Sequence, residues 1–252
     1  MRGVCTLGGA AFAFAVAALR RETLLPPRAQ WGWLIVFATL NFGAFTVFST
    51  LALVWLDASK AVVITYTLPI WAGVLAWPVL GERPTPRRVA AMVLGMVGVA
   101  LLMGIGDGQA SRAQLPGVAS GLLAAWIFGL GTVIAKRRPL ALPPVTSVAW
   151  QATLGALPLV ALAAREHPVW PAVSPLGWTC VLYIAVMPLT VAYLAWFRAL
   201  RLVPASTAAT TVLLSPLVGV VSSALLLGDP LGPRQVLAVA VTLTGVGLAA
   251  RR

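Results

Sequence analysis

The chain has 252 residues, of which 60% are hydrophobic and 10% are charged, and its formal net charge is +12. Soluble domains average about 45–50% apolar and about 25% charged residues, so this composition excludes a water-soluble globular fold. The basic residues stand in short clusters between apolar runs, as the topology signals of membrane proteins do. We therefore expect no nucleic-acid binding.

The residues that usually carry chemistry are few and scattered. Cys5 and Cys180 lie inside apolar runs, so the sequence predicts neither a disulfide framework nor a metal cluster. The single histidine, His167, and all six carboxylates fall in loops or at the ends of apolar runs, where no catalytic triad or carboxylate pair can be assembled. We expect no enzyme activity, no metal and no cofactor.

Proline, glycine and charge clusters divide the chain into apolar runs of about 20 residues, the length that crosses a bilayer as a helix. Many of these runs start at a proline, which is tolerated in the first turn of a helix because its missing N–H is not needed there. The sequence predicts an all-α polytopic membrane protein. The predicted spans are residues 3–19, 31–55, 60–80, 86–105, 116–135, 145–164, 176–199, 205–227 and 234–250.

The distribution of basic residues predicts the orientation. When loops are assigned alternately to the two sides, thirteen of the eighteen Lys and Arg residues fall on one side. Short basic loops stay cytoplasmic, so we expect the C-terminus inside and residue 1 outside, in a multi-pass protein of the inner (plasma) membrane.

The two halves of the sequence repeat each other. Residues 31–101 align without a gap on residues 178–248 when the chain is shifted by 147 positions. Proline, glycine and acidic landmarks that recur at one offset indicate a repeat rather than shared apolar composition. We expect a first repeat at 1–105, a connecting loop at 106–115 and a second repeat at 116–252. The matched landmarks are Pro69 with Pro216, Gly81-Glu82 with Gly228-Asp229, and Pro86-Arg87 with Pro233-Arg234.

The repeats differ in their number of helices. The second contains five spans and the first four, so the span at 116–135 has no partner in the first half. We expect that about one helix is missing at the N-terminus. Five helices are an odd number, so the repeats would insert in opposite directions, as in many secondary transporters. The alternative is that residues 1–19 are a signal peptide. It is disfavoured because the apolar run is followed by the basic residues Arg20-Arg21 rather than by the small residues of a cleavage site.

One set of motifs is present in each half of the sequence. In the first half it is Ala58-Ser59-Lys60-Ala61, Leu68-Pro69-Ile70, Leu80-Gly81-Glu82-Arg83 and a helix that holds Gly95 and Gly98. In the second half it is Pro204-Ala205-Ser206-Thr207-Ala208, Leu214-Ser215-Pro216-Leu217 and Leu227-Gly228-Asp229. These motifs resemble the EamA-like family of the drug/metabolite transporter superfamily. The resemblance implies ten helices in two inverted repeats and the export of amino acids, other metabolites or drugs.

These observations favour a secondary transporter or facilitator that exports a small organic metabolite by alternating access through a central cavity. A nucleotide-sugar or sugar-phosphate carrier of the same superfamily is one alternative. Such a carrier would need Lys or Arg within its spans to bind the phosphate, and none lies mid-span here. A lipid-handling or channel-like protein is another. With every carboxylate at a helix end, we expect transport without proton coupling. The expected partners are a small-molecule substrate and the lipid bilayer, and we expect a monomer, with a homodimer as the alternative.

Polar and aromatic residues inside spans are the candidate site, because hydrocarbon cannot satisfy their hydrogen bonds. Helical spacing predicts one face for Asn41 and Ser49 and one for Tyr183, Met187 and Thr190. Hydroxyl groups can instead bond to their own helix. The substrate-binding candidates are Asn41, Ser49, Thr65, Tyr66, Trp71, Trp126, Gln151, Tyr183, Thr190, Tyr193, Thr211 and Ser215, and the hinge candidates, with static kinks as the alternative, are Pro69 and Pro216.

Overall fold

The computed structural model describes residues 2–56, 58–83, 85–102, 112–165, 174–227 and 232–250. Over these ranges the chain is helical between short connections and contains no β-strand, which confirms the predicted all-helical fold. His167 and Asp229 lie outside the described residues. The α-helices are α1 (Arg2–Leu19), α2 (Trp31–Ala38), α3 (Phe45–Trp55), α4 (Ala58–Thr65), α5 (Leu68–Leu80), α6 (Pro86–Leu102), α7 (Leu115–Arg137), α8 (Pro144–Arg165), α9 (Pro175–Val186), α10 (Tyr193–Leu202), α11 (Ala205–Thr211), α12 (Leu214–Leu227) and α13 (Pro233–Ala250).

Several helical stretches have the length and apolar character of membrane spans. Shorter apolar helices occur at Thr6–Leu19, Ala205–Gly219 and Val236–Leu248. The stretches long and apolar enough to cross a bilayer are Arg28–Trp55, Lys60–Leu80, Leu115–Arg137 and Pro175–Leu202.

The internal repeat is visible in the local structure as well as in the sequence. A π-helical segment joins α2 to α3 at Thr39–Ala44, and another joins α9 to α10 at Met187–Ala192, within one residue of the 147-residue offset. In the second segment Pro188 lacks the N–H that a regular turn needs, which favours the wider turn. α6 and α13 also begin at equivalent prolines, Pro86 and Pro233.

Two further helices are interrupted at equivalent points. α4 ends at Thr65 and α5 begins at Leu68, while α11 ends at Thr211 and α12 begins at Leu214. Pro69 and Pro216 are therefore not in the middle of continuous helices. Each lies in the first turn after a break, where a proline disturbs no helical hydrogen bond. Hinge motion at these breaks stays a prediction.

The chain groups into two compact units, each of which combines segments of both halves of the sequence. The first unit is residues 1–47 with 138–202, and the second is residues 48–137 with 203–252. In the first, α1 packs against α8 and α9, and α2 also packs against α8. In the second, α6 packs along α13, and α7 packs along α4 and α5.

Glycines allow the close approach of α6 and α13 in the second unit. A Cβ atom added to Gly98 would lie 2.9 Å from the backbone nitrogen of Thr242 and 3.0 Å from the carbonyl oxygen of Ala238. One added to Gly245 would lie 2.8 Å from the carbonyl oxygen of Ala91. Lipid supplies no hydrophobic drive between helices, so small residues that let backbones meet supply the packing energy.

Glu22 and Glu82 each bind the start of a helix distant in sequence. Glu22 Oε2 accepts hydrogen bonds of 3.1 Å from the backbone N–H and the hydroxyl of Thr146, in the first turn of α8. Glu82 Oε1 lies 3.4 Å from the backbone nitrogen of Ala205, the first residue of α11. Although Glu82 follows the C-terminus of α5, where a carboxylate is unfavourable, its negative charge lies at a helix N-terminus, where it is stabilising.

Candidate substrate site

Asn41 is a buried polar candidate of the first unit with both side-chain polar atoms unpaired in the described part of the chain. It lies in the first π-helical segment, and its side chain is 1% exposed. Within the described part of the chain, neither its amide nitrogen nor its amide oxygen has a hydrogen-bond partner. Leaving such a group unpaired costs about 1–3 kcal/mol, so this amide needs a hydrogen-bond partner that the described residues do not supply.

Aromatic rings form the wall beside this segment. Tyr193 donates a 3.1 Å hydrogen bond to the backbone carbonyl of Asn41, and its ring stacks on Phe42 with centroids 4.1 Å apart. Phe42 is buried with Ala10 and Ala152, and Tyr193 packs against this cluster. The structure thus brings together Asn41 and Tyr193, which are 152 residues apart, on an apolar and aromatic wall.

Gln151 precedes Ala152 of the same cluster by one position in α8. Its side chain is 2% exposed, and its amide nitrogen donates a 3.0 Å hydrogen bond to Ser147 Oγ. The amide oxygen is buried and has no partner among the described residues. The first unit therefore holds two buried amides with unused hydrogen-bonding capacity, on α8 and on the segment between α2 and α3.

Thr190 and Tyr183 do not share the face that α-helical spacing predicts, so that prediction is wrong. Thr190 is 1% exposed and donates a 3.1 Å hydrogen bond to the carbonyl of Gly9, whereas Tyr183 is 64% exposed and Met187 is also exposed. The π-helical segment Met187–Ala192 lies between them. An i→i+5 turn contains more residues than an α turn, so side chains beyond it are rotated relative to those before it.

In the second unit, the two helix breaks approach each other. The Tyr66 hydroxyl hydrogen-bonds to the side chain of Ser215, and Tyr66 packs against the buried pair Val63 and Leu213. Interrupted helices with polar groups at the break are where many transporters bind their solutes. Tyr66 and Ser215 thus form a hydrogen-bonded pair of polar side chains inside the second unit.

The other candidates of the second unit are less favourably placed. Thr65 and Thr211 donate hydrogen bonds to carbonyls of their own helices, the alternative that the sequence left open. Ser49 is half-buried and already interacts with another group of the protein. Trp126 is exposed, whereas the indole N–H of Trp71 is buried without a partner in the described ranges.

Sequence reasoning missed two buried hydroxyl groups of the second unit. Thr132 in α7 and Ser206 in α11 are buried, and in the part of the chain that the structure describes their oxygens lack partners. Thr132 follows Gly129 by three positions on α7, and no sequence motif singled it out. Ser206 belongs to a recurring motif, which was the signal that could have included it.

The apolar helices and the internal repeat agree with what the chain resembles among known proteins. The model of the EamA-like transporter family matches residues 3–104 and 115–251. The chain belongs to the EamA-like transporter family. It is therefore a membrane-embedded transporter of the drug/metabolite transporter superfamily.

Curated relatives and a solved structure agree with this assignment. The chain is 30% identical to the uncharacterized transporter YwfM of Bacillus subtilis, over 95% of this chain and 79% of that protein. It is 29% identical to YvbV of the same organism, over 91% of this chain and 74% of the relative, and 26% identical to the protein PecM of Dickeya dadantii, over 85% and 72%. A solved structure titled "Crystal structure of protein" covers 98% of this chain and 85% of its own with a TM-score of 0.85. At 20% identity it shows the fold alone.

Proposed function

We propose that this EamA-family transporter carries a small neutral or zwitterionic organic solute, such as an amino acid or an amphipathic drug-like molecule, and that Asn41 and Gln151 bind it. The observation that carries the proposal is the Asn41 amide, which is buried with both polar atoms unpaired among the described residues. An amide donates and accepts hydrogen bonds at once, so it suits a solute that presents both kinds of group.

The surroundings of Asn41 narrow the class of solute. Phe42 and Tyr193 supply an aromatic wall, which favours a ligand with an apolar portion. Basic side chains that the structure describes, such as Lys60, Lys136 and Arg201, lie in the first or last turns of helices, and Arg198 lies one position before the last turn of α10. A phosphorylated solute would need such a cation at membrane depth, so the placement favours uncharged or zwitterionic solutes over sugar phosphates.

The mode of transport follows from the carboxylates. Proton-coupled carriers keep a titrating Asp or Glu at membrane depth. The described carboxylates Glu22 and Glu82 instead bind the first turns of α8 and α11. We therefore propose facilitated export or exchange, by alternating access, across the inner membrane with the C-terminus cytoplasmic.

The test is solute exchange in proteoliposomes, with and without an imposed pH gradient. A panel of radiolabelled neutral amino acids and one amphipathic cation serves as the set of solutes. We expect Asn41→Ala to slow exchange about 10-fold or more, because one lost buried hydrogen-bond partner costs about 1–3 kcal/mol. Accumulation that requires the pH gradient would show that the uncoupled mode is wrong.

Matched controls separate binding from general damage. Thr39→Val changes an exposed residue of the same π-helical segment, and Thr153→Val removes a hydroxyl of α8 that bonds to its own helix. Both variants should exchange solute at the wild-type rate, while Asn41→Ala and Gln151→Ala should not. Wild-type exchange in both amide variants would remove these residues from the site.

A further inference from the structure

The connection between α1 and α2 forms an exposed surface that is basic and apolar at once. Arg20, Arg21 and Arg28 are exposed, and between them Leu25 is 78% exposed beside the exposed Leu24. We call these five residues the basic ledge. Exposed leucines are expected on a lipid-facing helix, but here they stand in an irregular connection between two apolar helices.

The ledge is held rigidly on the first unit. Trp150 of α8 donates a 2.8 Å hydrogen bond from its indole nitrogen to the carbonyl of Leu24. The ring of Trp150 lies edge-on to Phe14, at 5.3 Å, and to Trp31, at 5.0 Å. At the far end of the connection, Gln30 Oε1 accepts a hydrogen bond from a backbone N–H between α7 and α8. A surface fixed in this way presents its side chains without a large cost in conformational entropy.

The charge of the ledge is not neutralised from within. Glu22, the carboxylate inside the connection, binds the start of α8 through Thr146. In the described part of the chain no ion pair involves Arg20, Arg21 or Arg28. Three arginines that flank apolar side chains have the composition of surfaces that bind anionic headgroups and insert leucines into the acyl boundary.

We propose that the basic ledge binds an anionic phospholipid of the surrounding leaflet. The guanidinium groups of Arg20, Arg21 and Arg28 hold the headgroup phosphate, because their planar donors match phosphate oxygens. Leu24 and Leu25 contact the upper part of the acyl chains. This surface is independent of the Asn41 amide, so the transporter binds its solute and its lipid at separate places in the first unit.

The test measures binding of tail-labelled phosphatidylglycerol and phosphatidylcholine to the purified protein in mixed micelles. We expect wild type to prefer phosphatidylglycerol, and Arg20→Gln/Arg21→Gln/Arg28→Gln to bind it more weakly by on the order of 100-fold, since each Arg near an anionic surface contributes about 5-fold. Leu24→Ser/Leu25→Ser should weaken binding less. Equal affinity of wild type for the two lipids would overturn the proposal.

The matched control is Arg83→Gln/Arg87→Gln/Arg88→Gln, which removes the same charge from the α5–α6 connection and the first turn of α6. It should keep the preference, and an equal loss in both triple variants would assign the effect to net charge rather than to the ledge. A measurement on wild type needs no variant to fold, because the preference should fall steeply between 50 and 500 mM salt, as screening predicts. A preference unchanged by salt, or competition by glycerol phosphate as effective as by whole lipid, would also overturn it.

Discussion

The interrupted helices α4–α5 and α11–α12 share one sequence pattern but differ in their surroundings. In the first, α7 lies close along the helix. A Cβ atom added to Gly121 would lie 2.8 Å from Ile64 Cγ2, and one added to Gly129 would lie 3.0 Å from the backbone nitrogen of Ala72 and 3.1 Å from Trp71 Cβ. The small residues of α7 therefore bring its backbone against α5.

The equivalent stripe of α11–α12 is exposed. The repeat mates of Ile64, Trp71 and Ala72 are Thr211, Val218 and Gly219. Val218 is 59% exposed, Thr211 is exposed, and a Cβ atom added to Gly219 would meet nothing within 4 Å. Both helices are interrupted at equivalent positions, although the stripe that α7 covers in α4–α5 is exposed in α11–α12. The break therefore does not depend on a covering helix.

The largest effect should come from a side chain placed under α7. We expect Gly129→Val to destabilise the protein by about 2–3 kcal/mol, because the added atoms meet the backbone of α5, which cannot move aside. The same change at the exposed repeat position, Gly219→Val, should be nearly neutral. Thermal unfolding in detergent measures the stability of both variants. An equal loss of stability in the two would contradict the different surroundings of the two interrupted helices.

The next effect concerns an ion pair that lies between the two interrupted helices, α4–α5 and α11–α12. Lys136 Nζ lies 3.2 Å from Glu82 Oε1, after α5, and 2.6 Å from the carbonyl oxygen of Val203, before α11. Both side chains are mostly buried. We expect Lys136→Gln or Glu82→Gln alone to cost about 1–3 kcal/mol, because each removes the charge partner of a mostly buried ionised group.

The double variant should cost less than the sum of the single variants, since the two residues belong to one network. Thermal unfolding of the four proteins completes the cycle. Additive losses would show that Glu82 and Lys136 act independently, and the neighbouring change Arg137→Gln is the control for lost charge.

Chemical labelling sharpens the comparison further. In a background without Cys5 and Cys180, we expect Gly219→Cys to react with a lipid-soluble thiol reagent at least about 10-fold faster than Ala72→Cys. Ala72 is fully buried, whereas Gly219 is exposed, and reaction requires access to the thiol. Equal rates would show that α12 is covered to the same degree as α5.

The smallest effect is expected at the hydrogen bond between the two breaks. Tyr66→Phe and Ser215→Ala should each cost about 1 kcal/mol, the usual net contribution of one hydrogen bond. The double variant should cost little more than either. Thr211→Val, which removes a hydroxyl bonded within its own helix, should leave exchange unchanged, whereas slower exchange in Tyr66→Phe alone would assign substrate contact to Tyr66.

Much of the fold could be predicted because membrane helices follow simple rules. Pro144, Pro175 and Pro233 mark helix starts, and the observed helices begin at these residues. The π-helical segments could not be predicted, since wide turns have no periodic signal and the first contains no proline. Helical spacing across the second segment therefore gave Tyr183 the wrong face. Asn41 and Tyr193 were separate candidates in the sequence, and only the fold shows that they are in contact.

The sequence by itself determined the membrane environment, the helix starts marked by proline and the repeat, because apolar length, prolines and a constant offset are local properties of the chain. Only the tertiary structure decided which polar groups are paired. Glu82 lies at the C-terminus of one helix by sequence, yet it binds Lys136 and the start of α11. Asn41 is one amide among several until the packing of α8 and Tyr193 around it leaves its atoms buried and unpaired. Hydrogen-bond partners more than a hundred residues apart depend on how helices pack, and no local pattern encodes that distance.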